Sequence, residues 1–175
     1  MSSVPADATQ SAAEELLAIS EIQSLFAKRL RVMDTKQWDR YAECHTDDVV
    51  SESYADVPDD NRPQADGQGN KVVGAEALTK AISGLLDGDT KVTTVHHGHM
   101  PEIELTSPTT ARGIWAMEDE LWWQHGDVTE HMHGYGHYHE EYRKVAGQWR
   151  ISYRKLTRLR VTKTPGFFSY LRGRL

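Results

Sequence analysis

Only one cysteine, Cys44, stands in 175 residues, so no disulfide can form within the chain and a reducing, cytoplasmic setting is expected. No apolar run approaches the ~20 residues that span a bilayer, so a membrane is not expected as a partner. Positive charge is also scarce. The 20 Lys and Arg against 26 Asp and Glu leave a net charge of -6, which argues against nucleic acid. There is no phosphate loop, no dinucleotide fingerprint and no nucleophile elbow, and no cofactor is expected. The first ten residues are polar and lack the apolar stretch of a secretory signal. Residues 1–11 read as a disordered tail, 12–162 as one domain, and 163–175 as a C-terminal tail that could form a lid or a subunit contact.

Within the domain, helical periodicity comes first. Leu16, Ile19, Ile22, Leu25, Phe26, Leu30 and Met33 recur at the spacing of one helix face, which predicts a helix over about 12–33. Arg29 lies beside that stripe, either as a packed stem with a solvated head or as a cation aimed into a cavity. Asp34 and Gln37 have the spacing of a capping box, so a second helix with Trp38, Tyr41 and Ala42 should start there. A strand over 49–54 leads to a loop over 55–70 rich in Asp, Pro, Gly and Asn, and a third helix covers 74–86. Alternating patterns then predict strands over about 92–105, 111–123, 128–145 and 149–161. Helices followed by an antiparallel meander give an α+β fold. Its apolar Trp149, Ile151 and Tyr153 form a face that another subunit should cover, and Phe167, Phe168, Tyr170 and Leu171 could make an apolar flap.

The first of these long strands is the unusual one. Thr94, His96 and Gly98 share its inward phase until Pro101 shifts it, after which Ile103 and Leu105 point inward. An imidazole sits where a core strand would hold an aliphatic residue. A histidine serves as a base near neutral pH, and a carboxylate partner fixes its tautomer and stabilises its charged form. His96 and Asp34 are the candidate pair, with Asp119 and Tyr138 facing the same interior by alternation. The histidines His131, His133, His137 and His139 share one strand face, but their spacing fits no closed zinc motif and no metal is assigned to them.

These residues carry a resemblance. Asp34 to Arg40 (DTKQWDR) and Thr94-Val95-His96 resemble the helix end and catalytic strand of scytalone dehydratases, and Tyr142 to Ile151 resembles the last hairpin of SnoaL-like domains. The resemblance runs from about Glu14 to Val161. It places the chain in the nuclear transport factor 2-like superfamily and implies a cone-shaped α+β barrel, with three N-terminal helices packed in a curved, mostly antiparallel sheet. It implies His96 as general base, Asp34 as its orienting partner, and Arg29 and Arg154 as stabilising cations. Tyr54 and Tyr138 would contact substrate, Trp38, Trp115 and Met117 would line an apolar pocket, and Asp119 resembles the pocket acid of bile-acid dehydratases. The expected activity is a cofactor-free β-elimination on a small aromatic or polycyclic hydroxylated compound, with loss of formaldehyde as a related outcome. An isomerase or aldol cyclase on a polyketide- or steroid-like ligand, and a non-catalytic ligand-binding or assembly domain, are the other readings. A homotrimer is expected over a dimer.

Overall fold

The computed structural model describes residues 6–53 and 70–171, with side chains for 11–53 and 70–169. Tyr54 and the loop over 55–69 lie outside the described residues. The elements in order are α1 (Ala6–Asp34), α2 (Trp38–Ala42), β1 (His45–Ser53), β2 (Asn70–Val73), α3 (Ala75–Leu86), β3 (Thr93–Ser107), β4 (Thr110–His125), β5 (Val128–Val145) and β6 (Gln148–Lys163). A 3-10 turn, Phe167–Leu171, closes the described chain. The strands form one curved sheet in the order β2-β1-β6-β5-β4-β3, antiparallel except between β1 and β6. This is the expected α+β architecture with three helices against a mostly antiparallel sheet. The barrel is left open, with β2 and β3 as its edges.

Helix α1 begins at Ala6, so residues 6–11, expected as part of a tail, are helical. Its packed stripe starts later than the periodicity suggests. Leu16 is 68% exposed, whereas Ile22, Phe26, Leu30 and Met33 are buried. The helix ends by a Schellman motif: the amide of Gln37 donates to the Val32 carbonyl at 2.8 Å and that of Lys36 to Met33 at 3.1 Å. Lys36 takes the left-handed conformation this ending requires (φ 58°). Asp34 is therefore the last residue of α1. The cap residue of α2 is Gln37, and the capping box expected from Asp34 does not form. Trp38, Tyr41 and Ala42 do lie on α2 as expected.

On β3 the register slips between Gly98 and Pro101, which is the phase change foreseen at Pro101. Gly98 lies under Phe26, whose ring stacks on Trp115 with centroids 3.6 Å apart. Alanine normally suits a strand better than glycine, but a Cβ here would drive into a ring with no room to retreat. Gly98→Ala should cost about 1–3 kcal/mol by overpacking, measured as a lower melting temperature.

Strand β6 departs from the simple alternation. Glu141 pairs with Tyr153 and Tyr142 with Ile151, so Ser152 is a bulge. Before it Trp149 and Ile151 point inward; after it Arg154, Leu156 and Arg158 do. The face of Trp149, Ile151 and Tyr153 expected to await another subunit does not exist as such. Trp149 (5% exposed) and Ile151 (0%) are in the core of this chain, and the bulge puts Tyr153 out of phase with them.

Candidate active site

The end of α1 lies against the start of β3, and this contact builds the central pair. Asp34 Oδ1 is 2.6 Å from His96 Nδ1, and its Oδ2 accepts the backbone N–H of His96 at 3.0 Å. The Thr94 hydroxyl donates to Oδ1 at 2.8 Å and in turn accepts from Lys36 Nζ at 3.0 Å. A carboxylate in the last turn of a helix faces the negative end of the macrodipole, which typically costs ~0.3–1 kcal/mol. The donors gathered from β3 offset that cost. Burial alone would push the Asp34 carboxyl up, but the hydrogen bonds and charge of His96, with Thr94, hold it below its ordinary value. Asp34 is thus ionised near neutrality and holds residue 96 at two points, the imidazole and the backbone N–H.

His96 lines a cavity of about 200 Å³ together with Asp119, Tyr138, Arg154 and Arg158. The remaining wall is mostly apolar and includes Met33, Leu86, Leu121, Met132, Leu156 and Phe167, with Ser53 and Asn70 as its polar members. Phe167 and Phe168 reach it from the closing turn, which is tied down by the Trp123 Nε1 bond to the Phe167 carbonyl at 2.9 Å. The C-terminal segment therefore contributes wall to the cavity.

Three of the expected groups stand at this cavity beside the His96–Asp34 pair. Arg154 donates from Nη1 to the Tyr41 hydroxyl at 2.8 Å, and its Nε is buried without a hydrogen-bond partner. Among the described residues no carboxylate lies within ion-pairing distance of it. Tyr138 is 1% exposed, and burial pushes its phenol up, so it remains a proton donor. Asp119 sits opposite His96 in the β3–β4 register and is clamped by both nitrogens of Arg158, at 2.7 and 2.8 Å.

Four expected groups are placed elsewhere. Arg29 is fully buried and spent on Glu140, 2.9 Å away, with its guanidinium over the rings of Phe26 and Tyr138. It braces Tyr138 from behind the cavity wall. Trp115 stacks on Phe26 and donates to the Tyr142 hydroxyl at 2.8 Å, so it belongs to the core. Met117 lies beneath Arg158, 3.8 Å from its Nη1. Trp38 donates to Asp87 at 2.9 Å on the outer side of α2. His45 is not a competing base, because burial and the neighbouring Arg154 and Arg29 push it down to about 3.

The model of one family, described as a SnoaL-like domain, matches residues 14–155. The chain belongs to the SnoaL-like domain family. Solved structures share its fold. A hexachlorocyclohexane dehydrochlorinase from Novosphingobium barchaimii LL02 superposes with a TM-score of 0.70 at 19% identity, over 89% of this chain and 95% of that one. A protein from Novosphingobium aromaticivorans, provisionally named a scytalone dehydratase, does so with a TM-score of 0.69 at 20% identity, over 86% and 90%. At these identities the likeness establishes the fold.

Two residues of this SnoaL-like domain that matter to the cavity were not singled out from the sequence. Arg158 reaches Asp119 across β5 only because residue 134 is glycine; a Cβ there would occupy the space of both the guanidinium and the carboxylate. Glu140 lies on the inward face of β5, among residues whose pattern reads as apolar. Neither was marked in the sequence: the β4–β5 register sets Gly134 beside Asp119, and the bulge at Ser152 turns Arg158 inward.

Proposed function

We propose that this chain is a cofactor-free lyase of the dehydratase type, with His96 as its general base. The observation that carries this reading is the 2.6 Å bond from Asp34 to His96 Nδ1 in the wall of a mostly apolar cavity. With Nδ1 engaged, Nε2 is the nitrogen left for substrate. It takes a proton from a carbon next to a carbonyl or phenol, and the electron pair moves onto the oxygen. Arg154 and the Tyr138 phenol stabilise that developing charge. Return of the pair expels the β-hydroxyl, which collects the proton from the imidazolium and leaves as water. Asp34 holds the ring and balances its charge meanwhile.

A volume of about 200 Å³ exceeds the ~150 Å³ in which benzene is held in an engineered protein cavity. It admits a substrate with one substituted ring. The test is incubation with a panel of single-ring β-hydroxy ketones and hydroxylated phenols in heavy water, followed by mass spectrometry. Loss of one water supports elimination. Deuterium uptake at unchanged skeleton identifies an isomerase using the same base. Neither outcome across the panel, with binding retained, supports a ligand-binding domain.

Asp34→Asn should lower the rate by at least ~10²-fold, because an amide neither fixes the tautomer nor offsets an imidazolium. The stability effect has a defined sign. The Asp34 carboxyl is held below its ordinary 3.8 in the folded chain, so its contribution is complete above that value and disappears as pH falls through the lower one. Urea unfolding should separate wild type from the variant by ~1 kcal/mol at neutral pH, with the gap closing in strong acid.

We propose a homo-oligomer as well, a trimer over a dimer. Leu16, Leu17, Val95, Ile114 and Tyr135 remain exposed and favour burial against further copies. Light scattering on a sizing column reads the mass; a monomer at micromolar concentration refutes it.

A further inference from the structure

The outer face of the sheet holds a cluster that the cavity chemistry does not use. On β4, Glu118 and Glu120 point away from the cavity, on either side of the inward Asp119. Across β5 the diagonal neighbours are imidazoles: His133 Nε2 lies 2.6 Å from Glu118 Oε1, and His131 Nε2 lies 3.1 Å from Glu120 Oε2. From β3, His99 Nε2 approaches the other oxygen of Glu118 to 3.8 Å. One donor atom from each of Glu118, Glu120 and His133 lies within 4.8 Å of the other two. The rings are held in place as well, His131 stacked on Trp122 and His133 tilted against Tyr135.

We propose that this face binds a divalent transition metal, Zn²⁺ or its close relatives, through Glu118, Glu120 and His133, with His131 as the fourth ligand. Metal–ligand bonds of about 2.0–2.1 Å in a tetrahedron put the ligand atoms roughly 3.3 Å apart. Among Glu118, Glu120 and His133 the present separations, from 2.6 Å to under 4.8 Å, straddle that spacing. His131 touches Glu120 at 3.1 Å, but its ring lies 6.3 Å from that of His133, so it joins the ion only by a rotamer change. A mixed imidazole and carboxylate set suits zinc and its neighbours rather than Mg²⁺ or Ca²⁺, which take oxygen. Two carboxylates two residues apart on one strand face repel each other, and a dication between them removes that repulsion. The strand spacing of the histidines alone did not disclose this site, because half its ligands come from the adjacent strand.

Calorimetric titration of Zn²⁺ into chelator-treated full-length protein should give one ion per chain, and Co²⁺ should give visible d–d absorption. His133→Ala and Glu118→Gln should each weaken binding by at least ~10-fold, while a His137→Ala/His139→Ala control binds as wild type does. All of these side chains point outward, and circular dichroism checks that each variant is folded. No stoichiometric ion on wild type, binding undiminished in both cluster variants, or loss confined to the 137/139 control overturns the proposal.

Discussion

Replacing His96 with alanine is expected to reduce turnover by roughly 10²- to 10⁴-fold, the usual contribution of a positioned general base. The melting temperature should move little. The His96 side chain is only 7% exposed, but it lies on a cavity wall, where water can enter the space it leaves. Asp34 keeps two of its donors in the variant, the backbone N–H of residue 96 and the Thr94 hydroxyl. Rate and stability therefore separate at this position, as they should not for a merely structural histidine. The measurement is deuterium incorporation or water loss on whichever panel compound wild type turns over, beside a thermal melt of each protein. A variant of near-wild-type activity would remove His96 as the base and assign the proton transfer to another group.

The pairing of His96 with Asp34 was legible in the sequence because each residue breaks a local rule. An imidazole on the inward phase of a strand, and an acid where an amphipathic helix stops, are both unfavourable alone and compatible together. The phase change at Pro101 and the bounds of β5 were legible for a simpler reason: a proline cannot donate to a ladder, and the strand is bracketed by turn residues. At its far end Ala146 and Gly147 both take positive φ, as a tight right-twisting hairpin needs. Other features depend on distances that periodicity does not carry. Arg29 had two readings on its helix, and Glu140, 111 positions further along, decides between them by standing opposite it. The single extra residue at Ser152 reverses the face of the strand as far as Arg158, moving Arg154 and Arg158 to the inside. Alternation counted from Trp149 misses this, since a bulge has no composition of its own here.

A second large effect should follow from removing the partner of Arg29. Glu140→Leu would leave a guanidinium that is 0% exposed with no opposing carboxylate among the described residues. The Glu140 carboxylate also accepts the Tyr142 hydroxyl at 2.7 Å, and that hydroxyl accepts Trp115 Nε1, so the change strips the end from a chain of donors. Burial is the largest of the effects that push the Tyr142 phenol well up, and it persists in the variant, so the phenol does not answer the lost charge by ionising near neutrality. Breaking a buried pair from one side typically costs about 3–5 kcal/mol. In a chain of this size that is a fall in melting temperature of roughly 6–20 °C. The double replacement Arg29→Met/Glu140→Leu removes both charges and should recover a large share of the loss, because two apolar side chains need no mutual alignment. Thermal and urea unfolding of the two single variants and the double one give the coupling. A double variant no more stable than the sum of the single losses allows would show that the two charges act independently. If they are coupled, Arg29 is held behind Tyr138 by Glu140, and the cation facing the substrate is Arg154.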